Sequence, residues 1–273
     1  MRSDLEECTK PEALDGGLLN VSEPMMTIDN RAIYDENWDQ WLDMKRIGPA
    51  SRWLRSLIRK HVNAIKERGP ISSILDVGCG EGTITWELAK YFPEAETMGI
   101  DFSIAGITCA RASYTCPRLC FVHDIASQAL DQQYDLVTAF EVLEHVENWQ
   151  ELLGRMAHAA RKFVMLSFPL GRMRPFEAHV GHLRNFRRGE VEGFMHSRGF
   201  VPEQLFRAGF PFYSPLYREV CNLTDSASNS FTTGRYGVPQ KIVAQVLYSL
   251  FRFASTKRHF GDQFCGLFRR HPV

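Results

Sequence analysis

The chain has 273 residues, 44% of them hydrophobic, enough to bury one sizeable core. Its 32 Lys plus Arg balance 32 Asp plus Glu, and a net charge of zero argues against nucleic acid as the main partner. Seven cysteines without a CxxC pair, no secretory leader and no apolar run of about 18 residues give the expectation of reduced thiols in a soluble, cytoplasmic protein.

Residues 1–28 mix acids, glycines and polar residues without periodicity and read as a loosely ordered lead. Residues 29–69 read as a helical cap, with one helix on each side of Gly48-Pro49. Ser51 is expected to cap the second, whose apolar stripe is Trp53, Leu54, Leu57, Ile58 and Val62. From Ile74 onward short apolar runs alternate with helical segments. The runs are Ile74 to Val77, Thr97 to Ile100, Leu119 to His123, Leu136 to Phe140 and "KFVMLSFP". This alternation predicts an α/β fold, a mostly parallel, Rossmann-like sheet covered by helices on both faces. A helix near Gly189 to Arg198 and a strand near Val201 to Arg207 complete a core over 70–207. Residues 208–258 read as a lid and helical insertion. In the amphipathic helix "PQKIVAQVLYSLFRFAS", Ile242, Val243, Val246, Leu247, Leu250 and Phe251 share a side that suits core packing or contact with a membrane or lipid-linked acceptor. Residues 259–273 are expected to form an antiparallel strand at the sheet edge.

The stretch "LDVGCGEG" follows the first strand and opens a helix. Its spacing is D-x-G-x-G-x-G from Asp76, and Thr83 stands where a dinucleotide fingerprint requires its last glycine. Asp76 and Glu81 at this turn would repel phosphates and suit an ammonium or sulfonium cation. Asp101 ends the next strand 19 residues after Gly82, the offset at which a carboxylate grips ribose hydroxyls. Asp124, beside Ile125, ends the third strand and is placed to meet an adenine amino group. Three acids at consecutive strand ends fit a cationic adenosine ligand.

On "LDVGCGEG", "GIDFS" at 99–103, "HDI" at 123–125 and "YDLVTAFEVLEHV" at 134–146, the chain resembles the class I S-adenosylmethionine-dependent methyltransferases over about residues 70–207. The resemblance implies a seven-stranded sheet with its last strand antiparallel. It also implies S-adenosyl-L-methionine as cofactor. Gly78 and Gly80, flanking Cys79, would pass under the methionine part of the ligand, and Asp101, next to Phe102, would bind the ribose. Asp124 and Ile125 would frame adenine, and Glu141 and Val142 would line the site after the fourth strand.

Methyl transfer is an in-line displacement to which positioning contributes much, and a base is needed only where the acceptor must lose a proton. Candidates are His145 in "EVLEH" and His182 in "FEAHVGHLRNF", a stretch that resembles the "GH-R" segment of many small-molecule methyltransferases; His179 is a third histidine in reach. The acids and histidine of an E-x-x-E-H stretch hold a divalent metal in some relatives. Helical spacing would put Glu144 and His145 on different faces, so no metal is expected. No D/N-P-P-Y/F motif and no Pro-Cys pair occur, which argues against methylation of nucleic-acid bases. Trp38, Trp41 and "GFPFYSPLYREV" are candidates to cover a pocket. The expectation is O-methylation of a small, partly apolar saccharide or secondary-metabolite precursor in a biosynthetic setting. The alternatives are a protein or nucleic-acid methyltransferase, or a non-catalytic adenosylmethionine-binding regulator.

Overall fold

The computed structural model describes residue 38 and residues 41–124, 128–223, 234–254 and 260–271. The expected lead over 1–28 lies outside them, as does Ile125. A helix α1 (41–47) is followed by α2 (Pro49–Lys66), and then strands and helices alternate: β1 (Ser73–Val77), α3 (Thr83–Tyr91), β2 (Glu96–Asp101), α4 (Ile104–Ser113), β3 (Leu119–His123), β4 (Tyr134–Phe140), α5 (Trp149–Ala159) and β5 (Ala160–Pro169). The short α6 (Pro175–His179), α7 (Glu190–Ser197) and β6 (Phe200–Ala208) come next. After them follow α8 (Arg218–Leu223), α9 (Val238–Ala254) and β7 (Gln263–Arg270).

The seven strands form one sheet in the order β3-β2-β1-β4-β5-β7-β6. Strands β1 to β5 are parallel neighbours, and β7 runs antiparallel to both β5 and β6. The last strand is therefore antiparallel as expected, but it is interior, and β6 is the edge. Its sequence accounts for this: Gln263 to Phe268 are buried without interruption, as a strand with neighbours on both sides requires. The sheet core thus draws on 263–270 as well as the expected 70–207.

β4 is buried at all seven positions, so the sheet packs on both faces. One face carries α5 and α7, with Trp149, Leu153, Met156, Val191 and Met195 in the core. The other carries α2, α3 and α9, with Leu57, Ile58, Val62, Leu88 and Phe251. α2 begins at Pro49 behind Gly48, which makes no side-chain cap. Ser51 is thus inside the helix rather than its cap; Pro49, with φ fixed and no N–H to satisfy, starts it instead. Only part of the α9 stripe is core. Phe251 is fully buried and Leu247 packs beside it, while Ile242, Val243, Val246 and Leu250 are exposed.

Candidate active site

The carboxyl ends of β1, β2, β3 and β4 meet at one side of the sheet, where the order reverses between β1 and β4. In the turn after β1, the amides of Gly78 and Cys79 both donate to the Ile100 carbonyl, at 2.8 and 2.9 Å. Gly78 and Gly80 have φ of 70° and 54°, where glycine carries little strain. Space excludes a side chain as well: a Cβ would lie 2.5 Å from Val142 at Gly78 and 2.4 Å from Trp38 at Gly80. The turn is thus clamped between the segment after β4 and Trp38 at the N-terminal side.

The acids sit around this turn. Asp76 accepts from Thr85 Oγ1 and Thr138 Oγ1, both at 2.6 Å, and burial pushes its carboxyl up to about 6. Asp101 accepts from the Gly80 amide at 2.7 Å and the Ser103 amide at 2.8 Å. Asp124 accepts from the Gln128 and Ala129 amides, each at 2.9 Å. Asp76, Gly78, Cys79, Gly80, Asp101, Phe102, Asp124, Glu141 and Val142 all line one cleft of about 130 Å³, which gathers every expected cofactor residue among the described ones. Glu81 also lines it, but its carboxylate is drawn to Thr83 Oγ1 at 2.8 Å and to Arg46 at 3.5 Å, so it braces the turn.

Beyond β4 the backbone turns sharply. Glu141 takes φ of 56°, and its Oε1 accepts from Ser167 at 2.7 Å and Gln263 at 2.8 Å. A 3-10 turn, Leu143–His145, follows. His145 Nδ1 lies 2.9 Å from the Gly181 carbonyl, and the His145 and His182 rings meet edge to face with centroids 4.7 Å apart. The two candidate histidines are therefore one pair. Burial lowers both, His145 to about 3 and His182 to about 4, so both rings are neutral at physiological pH. His179 is exposed and stands apart from the pair.

A second cavity of about 220 Å³ opens on the far side of the histidines. Trp41, Trp53, Phe176, Tyr213 and Tyr217 supply apolar wall, and Lys45, Arg218 and His182 supply polar groups. Arg218 is buried against Glu177. Lys45, Glu141 and His145 line both cavities and form the seam between them. Sequence reasoning missed Lys45, Arg218, Gln263 and the two threonines under Asp76. Lys45 and Arg218 lie in helices with ordinary charged faces, and Gln263 arrives from the interior strand that was expected at the edge.

Residues 75–162 match the family model described as a methyltransferase domain. The chain carries a class I, S-adenosylmethionine-dependent methyltransferase domain. Among curated relatives, a malonyl-[acyl-carrier protein] O-methyltransferase of Bacillus cytotoxicus is 26% identical over 172 residues, 62% of this chain and 57% of that protein. A trans-aconitate 2-methyltransferase of Methylobacterium radiotolerans is 39% identical over 83 residues, 30% of this chain and 31% of the relative. The chain thus spans well under two thirds of these relatives. The solved magnesium protoporphyrin IX methyltransferase of Synechocystis PCC 6803 with bound SAM superposes with a TM-score of 0.53 at 16% identity, covering 89% of this chain and 98% of that one; this likeness shows the fold. The methyltransferase cleft fits the cofactor of its family: an acid at each of three strand ends, a glycine turn with no room for side chains, and the Phe102 ring beside Asp101.

Proposed function

We propose that the protein is a methyltransferase that moves the methyl group of S-adenosylmethionine to an oxygen of a small-molecule acceptor held in the second cavity. One observation carries this reading: two cavities of separate character meet at Glu141, His145 and Lys45. Asp101 would hold the ribose hydroxyls, Asp124 with Ile125 the adenine, and Asp76 would set a negative charge beside the methionine end. The cofactor supplies an electrophilic methyl on a sulfonium; the chain's part is to align the acceptor oxygen and manage its proton. His145 and His182 are neutral, so each offers a lone pair to an acceptor hydroxyl. Aromatic walls exclude water and suit a partly apolar body, as in a saccharide or secondary-metabolite precursor. Relatives named for malonyl-[acyl-carrier protein] and trans-aconitate methylation support a small or carrier-borne acceptor. The exposed side of α9 is read as a contact for a membrane surface from which an apolar acceptor is taken.

The test is release of S-adenosylhomocysteine against a panel of hydroxyl- and carboxyl-bearing acceptors. His145→Ala and His182→Ala are expected to lower turnover at least tenfold with cofactor affinity nearly intact. Cofactor binding without product from any acceptor would favour a regulator. Unchanged turnover in both variants would leave positioning alone as the catalytic device.

A further inference from the structure

Arg218 opens α8 and is a buried cation in the wall of the second cavity. Its Nη2 donates to Glu177 Oε1. Glu177 has little more to offer, because its Oε2 accepts from the Arg174 amide at 2.7 Å and from Asn185 Nδ2 at 3.0 Å. Arg218 Nη1 is buried with no hydrogen-bond partner. An unmet buried donor costs roughly 1–3 kcal/mol, and more when it carries charge. The guanidinium is planar and rigid, so the bond to Glu177 also fixes where the free edge lies. That edge calls for an acceptor atom from outside the chain.

The surroundings say which kind of atom. Lys45 lines the same cavity, and among the described residues its ammonium makes no ion pair. Burial raises the Tyr213 and Tyr217 phenols, so neither becomes an anion that would compete for the cations. Hydrogen bonds between a guanidinium and a carboxylate are about twice as strong as neutral ones. We propose that the acceptor carries a carboxylate, held by Arg218 Nη1 with Lys45 adding positive charge. Glu177 already offsets one of these two cations and Glu141 stands at the seam, so a monoanion suits the site better than a phosphate dianion.

The rest of the wall completes the substrate class. Trp41, Trp53 and Phe176 offer rings to an apolar body, and His145 at the seam faces the hydroxyl that takes the methyl. The acceptor is thus a hydroxy acid with an apolar body, its carboxylate a handle and its hydroxyl the reacting end. This assignment rests on reading the second cavity as the acceptor site.

The experiment uses the full chain saturated with S-adenosylhomocysteine and reads binding by calorimetry. The probes are 3-(4-hydroxyphenyl)propanoate and 10-hydroxydecanoate, each beside its own primary amide. At least one acid is expected to bind about tenfold or more tighter than its amide. Arg218→Lys keeps a charge beside Glu177 but gives up Nη1, and should shrink that ratio to below about threefold while amide affinity holds. Circular dichroism checks its fold. Lys45→Gln, which breaks no buried pair, should lower the ratio several-fold and serves where Arg218→Lys does not fold. Equal binding of acid and amide, no binding by either acid, or an unchanged ratio in the folded variants overturns the proposal. Product analysis with S-adenosylmethionine separates the two readings. Acid preference without any methylated product sinks the methyl-transfer reading and keeps the anchor, and a methyl ether supports both. A methyl ester overturns the anchor, since the carboxylate would then lie at the seam.

Discussion

Asp101 is proposed to carry two tasks on one carboxylate. Its two oxygens anchor the amides of Gly80 and Ser103, and the same group is the one assigned to the ribose hydroxyls. Asp101→Asn replaces one acceptor by a donor facing an amide. Hydrogen bonds to charged groups contribute roughly 1.5–3 kcal/mol, so calorimetry is expected to show cofactor affinity falling by about 10- to 100-fold. Unchanged affinity would remove the ribose assignment. Asp76 adds a pH dependence. Its folded-state value is raised to about 6, so the negative charge that favours a sulfonium is present above that pH and is lost as pH falls through it. Affinity for S-adenosylmethionine is therefore expected to weaken between pH 7 and pH 5, and more steeply than for S-adenosylhomocysteine, which lacks the sulfonium charge. Parallel pH profiles for the two ligands would contradict this role. These acids were legible in the sequence because a strand end fixes where a side chain emerges. Arg218 and Gln263 were not, since their place depends on how distant segments pack. The meeting of His145 with His182 was hidden for a related reason: it depends on the loop after α6 folding back onto the 3-10 turn, where the Leu183 amide donates to the Glu144 carbonyl at 2.8 Å.

At the scale of elements, β7 and α9 shape the second cavity. β7 inserts between β5 and β6 and delivers Gln263 to Glu141. The alternation of strands and helices made the parallel half readable. Nothing in a local pattern states which neighbours a final strand will choose, and Gln263 and Gly266 interrupt the apolar run that would have marked an interior position. α9 lies against α2 through Phe251, whose ring meets Trp53 at 6.0 Å, Tyr213 at 5.6 Å and Tyr217 at 5.3 Å. Those three rings also wall the second cavity. Phe251→Ala is expected to cost about 3–5 kcal/mol of stability, as for other large-to-small changes in a packed core. Because the loosened rings face the acceptor and not the glycine turn, acceptor KM should rise more than cofactor Kd. Equal losses in both would mean that the two cavities do not respond separately.

Across the whole molecule, formal charges cancel while apolar surface is unevenly spread. Val238, Ile242, Val246 and Phe253 are 71%, 60%, 55% and 83% exposed, so α9 presents large side chains to water on the side away from α2. Scattered exposed apolar residues are ordinary, but a run along one helix marks a contact surface. Among the described residues no helix is long and apolar enough to cross a membrane, so a lipid contact here means a helix lying at the interface. Lys241 and Arg235 are exposed near the start of α9 and would face anionic headgroups. With no net charge behind them, apolar insertion must supply most of the attraction, and added salt should weaken it only modestly. Co-sedimentation with vesicles containing phosphatidylserine is therefore expected for the wild type and to fall several-fold for the double variant Ile242→Asp, Phe253→Asp. Turnover on a water-soluble acceptor should stay unchanged, because neither side chain lines either cavity of the candidate site. A wild type that remains in the supernatant, or a double variant that sediments equally, would exclude the membrane surface as the partner of this face.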